Sequence, residues 1–63
     1  MDENVKAETA ALLAEGYGVK TSEDFCALKP QDLAGLYTDL KALAAKHGLT
    51  DYQMEKVLES ILG

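Results

Sequence analysis

The sequence predicts an all-α fold, a compact bundle of four helices of which one is short. Apolar residues recur at three- and four-residue spacings along most of the chain. No stretch alternates apolar and polar residues in the manner of a strand. Glycine, proline and capping residues fall between the periodic stretches, in the order that stops one helix and starts the next.

The first helix has Asp2 and Asn4 as candidate caps. Val5, Thr9, Leu12 and Leu13 then share one face, and Ala7, Ala10, Ala11 and Ala14 cover much of the other side. "EGYG" stops it, with Gly16 or Gly18 in the left-handed position after the last turn.

The second helix is expected to run for about two turns. Thr21 and Asp24 have capping-box spacing, and Phe25 and Leu28, three apart, point the same way. Pro30 prevents this helix from running into the next, because it disfavours a helical Lys29 and donates no N–H. It suits the first position of the third helix, with Asp32 in the favoured first turn. Leu28 and Leu33 hold the two positions of a hydrophobic staple across this corner.

The third helix carries a stripe of Leu33, Leu36, Tyr37, Leu40, Leu43, Ala44 and His47. Gly48 ends it in a Schellman-like position, with Leu49 folding back over Leu43 or Ala44. Thr50 and Gln53 form a second capping box, and Leu49 and Met54 a second staple. Met54, Val57, Leu58, Ile61 and Leu62 complete the apolar face of the fourth helix.

Sixty-three residues make one domain, 1–63. A chain this short buries only about 60% of its unfolded surface, so its stability rests on efficient helix packing or on a partner. The single cysteine rules out an intramolecular disulfide and suits a reducing, cytoplasmic setting. The acidic start, "MDENVKAE", lacks the apolar region of a secretory signal, and no apolar run is long enough for a bilayer.

Six lysines and no arginine face eleven acidic residues, for a net charge of -5. Arginine supplies the bidentate contacts that phosphate and guanine favour. Its absence, in a negative field, argues against nucleic acid and anionic membrane as partners.

Little in the sequence calls for catalysis or a cofactor. His47 and Cys26 are two ligands where a zinc site needs three or four. His47 is expected to pack and to favour the helix C-terminus when protonated, and Cys26 to be a half-buried structural thiol. "GYG" lacks the setting of a phosphate loop, and "DYQMEKVLE" lacks the alternating oxygens and central glycine of a calcium loop. The expectation is a protein that is not an enzyme and binds no metal or cofactor.

Two surfaces are candidate partner sites. Tyr52 lies opposite the Met54–Ile61 stripe, exposed beside Glu55, Lys56 and Glu59, and Tyr52 with Lys56 offers an anchor for a protein partner. The third helix has a back face of small residues: Ala34, Gly35, Thr38, Ala42 and Ala45. Small residues permit close helix approach, and Gly35 costs about 1 kcal/mol relative to alanine inside a helix. Gly35 and Ala42 therefore mark a surface for a partner or a second copy. The plainer reading of the alanines is that they are good helix formers.

The stretch "GVKTSEDFCALKPQDLAGL" resembles the middle of sterile alpha motif domains and the related helix-hairpin-helix folds. Gly18, Val19, Thr21, Glu23, Asp24 and Phe25, then Leu28, Asp32 and Leu33, carry the likeness. A long amphipathic last helix over 50–62 agrees with it. The likeness implies a SAM-like bundle that acts as a protein–protein interaction module, self-associating or part of a larger chain. The glycine-histidine-arginine step and the basic start of the last helix are missing, so polymerisation and RNA binding are not carried over. Two alternatives stand beside it: a helix-hairpin-helix-like nucleic-acid module, which the charge disfavours, and a small acidic protein that binds a basic partner.

Overall fold

A computed structural model describes residues 3–63, with side chains from Asn4 onward. Asp2, one of the two cap candidates, lies outside the described residues, and Asn4 lies inside the first helix rather than at its cap. Among the described residues the chain forms four helices and no strand. These are α1 (Glu3–Ala11), which continues into a wider π turn over Leu12–Gly16, α2 (Ser22–Cys26), α3 (Pro30–Lys46) and α4 (Asp51–Leu62). The all-α four-helix bundle is therefore the fold. Its radius of gyration of 10.7 Å is what a chain of this length reaches when fully packed.

The core is built from one residue stripe on each long helix. Val5, Thr9 and Leu13 come from the first helix, Leu36, Leu40 and Ala44 from α3, and Met54 and Val57 from α4. Val19, in the connection after the first helix, is buried with them. α4 packs against both α1 and α3, so it is the central contact of the bundle. Thr9 is fully buried, and its hydroxyl donates to the Val5 carbonyl at 2.7 Å, so the polar atom has its partner within the helix. Burying these apolar side chains at about 25 cal/mol per Å² is the main force holding a bundle of this size.

The helix boundaries follow local chemistry. Both capping boxes form. The Asp24 N–H donates to Thr21 Oγ1 at 3.2 Å while the Thr21 N–H donates back to Asp24 Oδ2 at 3.3 Å. The Gln53 N–H donates to Thr50 Oγ1 at 3.1 Å and the Thr50 N–H to Gln53 Oε1 at 2.9 Å. Pro30 is the first residue of α3, and its cap Lys29 makes no side-chain hydrogen bond. Gly48 closes α3 with φ of +68°, and the Leu49 N–H donates to the Ala44 carbonyl at 2.8 Å, a Schellman closure.

One open choice is decided and several expectations are corrected. Between Gly16 and Gly18 it is Gly18 that takes the left-handed conformation, φ +68°, because the helix widens into the π turn and Gly16 stays inside it. α2 is five residues rather than two turns, and Leu28 lies beyond its end. Cys26 is exposed rather than half-buried, since so short a helix buries only the side turned to the bundle. Tyr37 leaves the buried stripe of α3 and is 47% exposed, and Leu58 is half-buried, because both line an open groove.

Among the described residues no helix is long and apolar enough to cross a membrane.

Candidate functional site

α3 has two opposite flanks that the fold treats differently. One is closed by the chain itself. Tyr17, the residue after the π turn, lies over Gly35: a Cβ at Gly35 would stand 3.2 Å from the tyrosine oxygen. The Tyr17 hydroxyl donates to Asp39 Oδ2 at 2.6 Å, one turn further along α3. That hydrogen bond raises the tyrosine pKa above its ordinary value of 10.0, with desolvation and the charges of Asp39 and Asp32 acting in the same direction. The close approach that Gly35 permits is thus taken up within the chain. Ala42 stays exposed on the same side.

The other flank is open. Between α2, α3 and α4 lies a groove of about 500 Å³. Leu40 and Ala44 of α3 and Met54, Leu58 and Leu62 of α4 form its apolar floor. Phe25 of α2 also lines it, edge-on to Tyr37 with ring centroids 6.3 Å apart. The rim is charged and unequal. Asp51, Glu55 and Glu59 stand along the α4 side, while Lys41 stands on the α3 side. The volume falls within the range of ligand and peptide sites, and the lining has their usual character of apolar floor and few polar groups.

Tyr52 and Lys56 lie just outside this acidic row. Tyr52 is 65% exposed, as its place on α4 predicts. The Lys56 ammonium sits 5.2 Å from the centre of the Tyr52 ring and 3.4 Å from Glu59 Oε2. Lys56 therefore holds the ring and the third carboxylate of the row in one cluster. Of the four residues singled out from the sequence, Tyr52 and Lys56 cluster with the rim residue Glu59 but do not line the groove, Gly35 belongs to the closed flank and Ala42 is apart from the groove.

A third feature ties the ends of two helices. Lys46 Nζ donates to Glu8 Oε1 at 3.0 Å, and the His47 Nε2 N–H donates to Glu8 Oε2. The Lys46 hydrogen bond, then that of His47, lowers the Glu8 pKa below its ordinary value of 4.5, against a smaller desolvation effect. His47 thus packs at the end of α3 as expected, but its polar partner is a residue of α1. His47 and Glu8 are 39 residues apart in sequence, and no local pattern signals the contact.

Among the described residues no group of three histidines, cysteines or carboxylates is placed to hold a metal ion. Sequence reasoning missed the groove residues Phe25, Tyr37, Leu58 and Leu62 as a site. The four-residue spacing of Asp51, Glu55 and Glu59 was a usable signal, since it puts three carboxylates on one edge of a helix. Comparison with known proteins finds no matching family model, curated protein or solved structure.

Proposed function

We propose that the chain is a non-enzymatic protein–protein interaction module whose partner seats in the groove between α3 and α4. The observation that carries this reading is the groove itself, an open apolar trough of about 500 Å³ between α3 and α4. Apolar surface gathered in one concavity and rimmed by charge is the usual mark of a docking site. Tyr52 and Lys56, joined to the rim through Glu59, offer a further contact outside the groove, in keeping with the part tyrosine plays at interfaces. The resemblance of residues 18–36 to sterile alpha motif domains supports the same class of function. The exposed thiol of Cys26 suits a reducing, cytoplasmic setting.

The test is affinity capture from the native host with the wild-type chain and three folded variants. Leu58→Glu puts a charge on the groove floor and should abolish capture of the partner. Tyr52→Ala should weaken it without changing the melting temperature. Ala42→Glu, away from the groove, should leave it intact. Equal capture by Leu58→Glu and wild type overturns the assignment. Loss with Ala42→Glu alone moves the interface to the small-residue face and to close helix approach.

A further inference from the structure

The rim of the groove specifies its occupant. Asp51, Glu55 and Glu59 recur every four residues, so their carboxylates are spaced by about 6 Å along α4. Among the described residues neither Asp51 nor Glu55 has an ion-pair partner, while Glu59 shares Lys56. Like charges at such spacing repel one another on a helix, and a partner's cations relieve that repulsion. The opposite wall carries Lys41 instead.

Resting on the reading of the groove as a docking site, we propose that it takes an amphipathic helix of another protein, with lysines or arginines at i, i+4 and i+8 along one flank. The apolar face of that helix fills the floor at Leu40, Met54 and Leu58. Its basic flank lies over Asp51, Glu55 and Glu59, and its other flank, facing Lys41, is neutral or acidic. Helix-in-groove recognition reads apolar anchors at i, i+3, i+4 and i+7, and the charged edges then fix register and direction.

The chain's own composition excludes a second copy as the occupant. Its lysines stand at positions 6, 20, 29, 41, 46 and 56, and no two of them are four residues apart. No helix of this chain can therefore present the required flank, and two chains of net charge -5 repel. A bilayer or nucleic-acid surface carries the same sign as the acidic wall and is disfavoured for that reason.

Three synthetic helical peptides of equal length and leucine content test this. The first carries lysine at i, i+4 and i+8 on one flank of the leucine face. The second has the same composition with the lysines on the far face. The third has glutamate at the three flank positions of the first. Binding is read by fluorescence anisotropy at low and at physiological salt, and the contacted residues by NMR shift changes. The first peptide should bind about tenfold more tightly than the second, lose most of that advantage as salt rises, and perturb Tyr37, Met54 and Leu58. In the folded double variant Glu55→Lys with Glu59→Lys, the preference should turn to the glutamate peptide. Equal binding of all three peptides in the groove overturns the basic partner but leaves the docking role standing. If no peptide perturbs the groove residues, and a fluorescent long-chain alkyl probe does, both readings fall. A preference for the first peptide that survives the double variant also overturns the proposal, since the carboxylates would then not be its source.

Discussion

The chain turns twice from a long helix into a glycine corner, and the two corners solve one problem with different geometry. Each has a glycine at φ +68° followed by an apolar residue, and the threonine that opens a capping box comes directly after it at the Gly48 corner and one residue later, past Lys20, at the Gly18 corner. After α3 the closure is regular: the Leu49 N–H reaches back five residues to Ala44, and the Gly48 N–H reaches Ala45 at 3.2 Å. After the first helix the closure is one residue wider. The Val19 N–H reaches back to Leu13 at 2.8 Å, across the π turn. The wider corner keeps Leu13 fully buried and delivers Tyr17 to Gly35, whereas the regular corner leaves Leu49 half-buried at the edge. A π turn costs regular hydrogen bonding. Here it coincides with the flank of α3 that is closed, and the flank opposite it is the groove that stays open.

The largest expected effect distinguishes the corners by how deeply each is anchored. Leu13→Ala empties a fully buried site and should cost about 2–5 kcal/mol, a large share of the stability of so small a domain. Leu49→Ala removes a half-buried side chain and should cost about 1 kcal/mol. Urea unfolding of both variants measures the difference. Equal costs would mean that the wider corner is no more part of the core than the regular one.

A middle-sized effect should be the same at both. A Cβ added at Gly18 or at Gly48 meets nothing within 4 Å, so the penalty for alanine is conformational alone. Left-handed backbone costs an ordinary residue about 1–2 kcal/mol, offset in part by the reduced freedom of the unfolded chain. Gly18→Ala and Gly48→Ala should each destabilise by about 1 kcal/mol and agree within about 0.5 kcal/mol. A clearly cheaper Gly18→Ala in thermal melts would show that the wider turn relaxes to absorb the substitution.

The corners also differ in how far they were legible. Both capping boxes, Pro30 at the head of α3 and the Schellman closure at Gly48 depend on residues within about one helical turn of each other. Such patterns are present in the sequence itself, and the four-helix bundle follows from them together with the apolar stripes. The π turn was not legible, because Leu12–Gly16 reads as ordinary helix until Tyr17 is known to bond Asp39. The exposure of Cys26 and Tyr37 depends on how α2 sits against α3 and α4, which no spacing within one helix encodes. The same holds for Glu8, whose partners Lys46 and His47 come from the far end of α3. The acidic row on α4 was visible as charge, but its meaning needed the apolar floor beside it.

The smallest effect separates the corners by pH. The wider corner is pinned by the Tyr17–Asp39 hydrogen bond, and the regular one by the Glu8 ties to Lys46 and His47. The folded Tyr17 hydroxyl holds its proton above the ordinary value of 10.0. Its contribution is therefore complete below pH 10.0 and is lost as the pH rises through the raised value. The folded Glu8 carboxyl gives up its proton below the ordinary value of 4.5. Its contribution is complete above that pH and is lost as the pH falls through the lowered value. Alkali should thus loosen the Gly18 corner and acid the Gly48 corner. The Tyr17–Asp39 and Glu8–Lys46 contacts are exposed to solvent and the Glu8–His47 contact is part-buried, so each shift in melting temperature should be small and should shrink as salt is added. The measurement is melting temperature against pH for the wild type, Tyr17→Phe and Glu8→Gln. Tyr17→Phe should flatten part of the alkaline limb and leave the acid limb alone, and Glu8→Gln should do the reverse. If either variant altered both limbs equally, the two corners would be coupled through the core rather than pinned one by one.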